Sequence, residues 1–127
     1  MTSYQAVFDE ILLLTKAGRL GWRQIGRKEH GDIILNSHLV IRQFTAPYQR
    51  EVNIFTLLLL ERRHLYNEEN SFMERLECRR AELLILEKGE LIISLREVTV
   101  KLARMMELLD LVIDQTNRER RLLGAPV

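Results

Sequence analysis

The 127-residue sequence predicts an α+β fold: an N-terminal helix, an antiparallel sheet of about five strands and a long C-terminal helix. Three observations carry that reading. Val98, Leu102, Met105, Leu109 and Val112 recur at alternating four- and three-residue steps in a charged background, which draws one apolar stripe down a helix. After Gly18 the helical spacing gives way to β-compatible runs separated by turn residues. Two apolar runs, 83–86 and 91–95, flank Glu87-Lys88-Gly89-Glu90, where Gly89 supplies the positive φ that a tight hairpin loop requires.

The first helix is expected over about 3–17. Thr2 and Gln5 have the spacing of a capping box, and Tyr4, Val7, Phe8, Ile11 and Leu14 fall at helical intervals. Gly18 ends it, because glycine takes the left-handed cap conformation without steric cost. Strands are then expected near 21–26, 33–36, 38–45 and 51–62, with Asn36-Ser37 and Ala46-Pro47-Tyr48-Gln49 as turns. The uninterrupted apolar run 57–60 implies a strand buried on both faces, and one helix packed on each side of the sheet would cover it. Ser71 and Glu74 form a second capping pattern before Phe72, Met73 and Leu76, which reads as a short exposed helix or ordered loop. The alternative to the 83–95 hairpin is a continuous helix through Phe72, Leu76, Leu83 and Leu86. The last helix starts at Ser94 or Glu97 and reaches about 121, with Arg118, Arg120 and Arg121 at the negative pole of its dipole and Gly124 and Pro126 beyond. Met106, Leu108 and Ile113 widen its apolar sector past a coiled-coil seam, a width that suits packing on a sheet.

Composition bounds the function. Apolar residues at 46% and charged residues at 29% place the chain among globular proteins, and its length suits a single domain over 1–127. Cys78 is the one cysteine, so no intrachain disulfide forms, and a reducing cytoplasmic compartment is expected. No basic leader precedes the first apolar residues, and the 57–60 run is far short of the roughly 20 residues that cross a bilayer, so neither secretion nor membrane insertion is expected. A net charge of +1 sets up no strong global field towards nucleic acid.

The stretch Leu14-Thr15-Lys16-Ala17-Gly18-Arg19-Leu20-Gly21-Trp22 resembles the opening of a group of small, uncharacterised bacterial helix–antiparallel meander–helix domains. Those domains begin with a helix ending in a Leu-Thr-x-x-Gly phrase and carry a Trp on the first strand of the meander. The resemblance implies a fold and no particular activity. An order of helix, three strands, short helix, two strands and last helix would also resemble that of the class I type III secretion chaperones. For this chain that likeness implies a dimer that wraps an unfolded segment of a protein client.

Chemistry has little support in the sequence. His30, His38 and His64 fall on separate segments without the H-x-x-x-H doublet of a metal site, and no glycine-rich phosphate loop is present, so neither metal nor cofactor is expected. Cys78 lies among Arg75, Arg79 and Arg80, cations that lower a thiol pKa, but a nucleophilic cysteine needs a positioned base, and His64 is the nearest histidine. The pairs Glu68-Glu69 and Glu87 with Glu90 read as solvated faces rather than as an acid–base or calcium site. No catalytic residue is assigned.

Two surfaces remain. Met105, Leu108, Leu109 and Val112 on the last helix, or the edge of the sheet, are the expected contact for a protein partner, first of all a second copy of the chain. Arg19, Trp22, Arg23, Arg27 and Lys28 form a basic patch with an aromatic, a combination that holds phosphates and stacks bases at roughly 1–3 kcal/mol per base. The sequence therefore reads as a small non-catalytic protein acting through protein–protein binding as a homodimer. Nucleic-acid binding and client chaperoning are the alternatives.

Overall fold

A computed structural model describes residues 3–64, 78–95 and 100–124. It is α+β: helix α1 (Tyr4–Lys16), strands β1 (Arg23–Ile25), β2 (Val40–Arg50), β3 (Asn53–His64), β4 (Cys78–Glu87) and β5 (Glu90–Leu95), and helix α2 (Leu102–Leu122). The strands form one antiparallel meander in the order β1-β2-β3-β4-β5.

α1 is capped one residue later than the sequence suggests. The Ser3 hydroxyl accepts from the Ala6 amide at 3.1 Å, and Gln5 turns to Asp9 instead of closing a capping box. Gly18, at φ +70°, ends the helix as expected.

β1 keeps only three residues of the expected 21–26 strand. The strand expected at 33–36 does not form. The amides of Ile33 and Ile34 both bond His30 O, positive φ at His30 and Asn36 bends the chain, and a 3₁₀ turn over Ser37–Leu39 leads into β2. β2 in turn runs straight through 46–49, the segment expected to turn. The reason lies at Pro47. β1 pairs only with residues 43–45 of β2, so among the described residues no strand pairs with the outer side of β2 beyond Thr45 and no donor is needed there. The reversal falls instead at Glu51-Val52, with Glu51 at φ +57°. The 87–90 hairpin forms as expected, on Lys88 at φ +52° and Gly89 at φ +82°. The short helix expected after Ser71 lies outside the described residues, as do Glu97 and Val98; Ser94 belongs to β5, and α2 begins at Leu102.

The 57–60 run is buried on both faces, but not by a helix on each. Both helices lie on one face: Phe8, Ile11 and Leu12 of α1 and Met105, Leu108, Leu109 and Val112 of α2 share one core with Leu57, Leu59, Leu83 and Phe44. Arg104–Asp9 (2.8 Å) and Lys16–Glu107 (2.8 Å) tie the two helices side by side. On the opposite face Leu58, Leu60, Leu84 and Leu86 pack with Val40, Ile25, Ile33 and Ile34. The 26–39 segment thus supplies cover that sequence reading assigned to a helix. Two polar anchors, buried Gln43 and half-buried Arg62, hold it there. Gln43 Nε2 donates to the carbonyls of Gly26 and Glu29, and Arg62 donates to those of Leu35 and Asn36 while pairing with Glu82 at 2.8 Å.

Candidate interaction surface

The stripe residues expected to meet a partner do not reach the surface. Met105, Leu108, Leu109 and Val112 each have 0% exposure and fill the core between α2 and the sheet. The helix is amphipathic for its own sheet's sake, and its outward face carries Arg104, Asp110, Asp114 and Arg118.

Trp22 is withdrawn as well. It is 4% exposed, and its indole N–H donates at 3.0 Å to Thr15 Oγ1, which itself donates to Ile11 O. The ring anchors the chain leaving α1 onto the core and offers no face for stacking. Arg19, Arg23, Arg27 and Lys28 are exposed.

The remaining polar clusters clasp elements together. Glu61 lies 2% exposed at the helix-facing side of β3 and accepts from Arg42 Nε (2.5 Å) and Arg79 Nε (2.7 Å); Arg79 also reaches Asp110 of α2 at 3.2 Å. Burial pushes the Glu61 carboxyl up, but hydrogen bonds and charge from the two guanidinium groups outweigh it and hold the group below its ordinary range. Tyr48 donates to Glu10 at 2.5 Å and accepts from Arg50 at 3.1 Å; burial first, then the bond to Glu10, raises its hydroxyl. Cys78 opens β4 rather than lying on a helix, and the register sets it opposite His64. Glu87 and Glu90 face each other across the hairpin. Among the described residues no group of three or more His, Cys, Asp or Glu is gathered to hold a metal ion, and no helix is long and apolar enough to cross a membrane.

The sheet edges differ from one another. β1 is three residues long, begins with exposed Arg23 and leaves to Pro47 the open part of β2 beside it; shortness, charge and proline all discourage pairing with another chain. β5 has none of these devices along Leu91-Ile92-Ile93-Ser94-Leu95. Among the described residues it pairs with β4 alone, and Leu91 and Ile92 are 43% and 55% exposed. The register slips between Ile85 and Leu86, so Ile92 faces no residue of β4. Sequence reading named the sheet edge as a contact but did not single out Leu91 and Ile92. The 91–95 run looks like any core strand, and only the strand order makes it an edge. Compared with protein-family models, with curated proteins and with solved structures, the chain matches none.

Proposed function

We propose that this is a non-catalytic cytoplasmic protein that acts through protein–protein binding, with a second copy of itself as the first partner and the outer edge of β5 as the contact. The observation that supports it is the edge itself: exposed Leu91 and Ile92 on a strand that, among the described residues, pairs with β4 alone and carries neither proline nor charge along 91–95. Antiparallel pairing of two β5 edges about a two-fold axis joins identical surfaces, which is how most homodimers close. It would extend the sheet across two copies and take Leu91 and Ile92 from water together.

Light scattering after size exclusion tests this. The native chain is expected at twice its 15.0 kDa mass, and Ile92→Lys at the single-chain mass with an unchanged circular dichroism spectrum. A native chain that stays at 15.0 kDa at high concentration overturns the homodimer.

The chaperone alternative draws support from the order of elements, with one helix, three strands, two strands and a last helix among the described residues. A client segment would then occupy the same β5 edge, and the purified chain would be monomeric until an extended apolar peptide is supplied. Nucleic-acid binding would have to proceed without Trp22, on charge alone.

A further inference from the structure

We propose that the hollow between the end of α1 and the outer side of β2 binds a small apolar monocarboxylic acid, independently of the β5 edge. The hollow measures about 400 Å³, a size that suits a small-molecule site. Leu14, Leu20, Pro47 and Ile54 are its apolar walls, and Tyr48, Gln49 and Arg19 complete the lining. Ile54 is 66% exposed, so a hydrocarbon body lying here would take apolar surface from water. At roughly 30 Å³ per water-sized group, the space takes a body of about a dozen such groups. Arg19 supplies the charge. Among the described residues no carboxylate lines the hollow, and the exposed Arg19 side chain makes neither an ion pair nor a hydrogen bond. Glu10, the acid bonded to Tyr48, lies outside the lining and is engaged by that hydroxyl and by Arg50 at 3.3 Å. A guanidinium presents paired N–H donors that fit a carboxylate. Gln49, whose Nε2 gives one N–H to Glu51 O at 3.3 Å, has a second to offer. One cation among apolar walls complements one negative charge on a hydrocarbon body.

The fold sets the backbone of this site in advance. The chain leaves α1 at Gly18, with Arg19 N donating to Leu14 O at 2.9 Å and Trp22 N to Leu20 O at 3.0 Å. The buried Trp22 indole, bonded to Thr15, fastens that turn to the core, so the backbones of Leu14, Arg19 and Leu20 are placed before a ligand arrives. Across the hollow Tyr48 is buried and held by Glu10 and Arg50. A site assembled beforehand loses little ordering entropy on binding. Pro47 decides against a peptide strand as the occupant, because it withholds a backbone amide that strand addition draws on. A small acid needs no such donor.

Amide NMR of the full chain titrated with octanoate tests the site. Saturable shifts centred on residues 14, 19, 20, 48, 49 and 54 are expected, and octanamide, the neutral counterpart, should bind about fivefold or more weakly. Arg19→Gln should reduce octanoate to the affinity of octanamide and leave octanamide itself within about twofold. Arg23→Gln, which alters an exposed arginine of the same stretch outside the hollow, should leave octanoate within about twofold. Ile54→Gln, on the apolar wall, should weaken both ligands by about the same factor. Shifts that do not saturate by about 20 mM octanoate overturn the site. So do equal affinities for octanoate and octanamide, or a loss with Arg23→Gln as large as that with Arg19→Gln. An apolar tripeptide with a free C-terminal carboxylate that binds about tenfold more tightly than octanoate would assign the hollow to a peptide terminus and overturn the small acid.

Discussion

Thr15 shows how a side chain that looks incidental in sequence decides local structure. Its hydroxyl is the acceptor for the buried Trp22 indole, and it links the end of α1 to the start of the sheet. Thr15→Val keeps the shape and leaves that N–H unpaired, so urea denaturation should show a loss of about 1–3 kcal/mol. The tryptophan itself was conspicuous, but its role was not, because a Trp among arginines suits a stacking site and a core anchor equally well. Glu61 makes a second case. Its carboxyl titrates lower in the folded chain than its ordinary value of 4.5, so the stabilisation it gives is complete above that pH and is lost as pH falls through the depressed folded value. Glu61→Gln should cost about 2 kcal/mol at neutral pH, below the 3–5 of a fully buried pair because Arg42 and Arg79 reach solvent. The gap between native and variant stabilities should narrow on acidification below pH 4.5.

At the scale of elements, what sequence could read was whatever depends on near neighbours. α1, the 87–90 hairpin and most of α2 follow from spacing and turn residues, and all three form. The errors fall where a distant partner decides. The 46–49 segment carries proline and reads as a turn until one knows that β1 stops short of it. The 33–36 segment is apolar because it roofs Leu58 and Leu60, not because it pairs. Within the hairpin, Lys88 holds a left-handed conformation that asparagine adopts more readily, so Lys88→Asn should raise stability by up to about 1 kcal/mol and Gly89→Ala should lower it by about that amount, both measurable by thermal denaturation.

Across the whole molecule the sheet is covered unequally, by two helices on one face and by an anchored irregular segment on the other. Leu59 points to the helices and Leu58 to the 26–39 segment, yet both are 0% exposed. Leu59→Ala and Leu58→Ala should therefore each cost about 2–5 kcal/mol in denaturant; a near-neutral Leu58→Ala would show that the second face is not packed. The same arrangement explains why the α2 stripe is not a contact surface. The helix spends its apolar face on its own core, and the strand order leaves β5 at the border of the sheet, paired with β4 alone among the described residues. Which apolar residues stay exposed was out of reach of the sequence because every apolar position on α2 and β5 looks alike until the layers are assembled.

The most direct measurement is amide hydrogen exchange in β5 as a function of protein concentration. If a second copy pairs along this edge, the amides of β5 that face away from β4 should exchange quickly in dilute solution and become protected as concentration rises, while those of β1 stay unchanged. Exchange in β5 that is the same at every concentration would contradict the account.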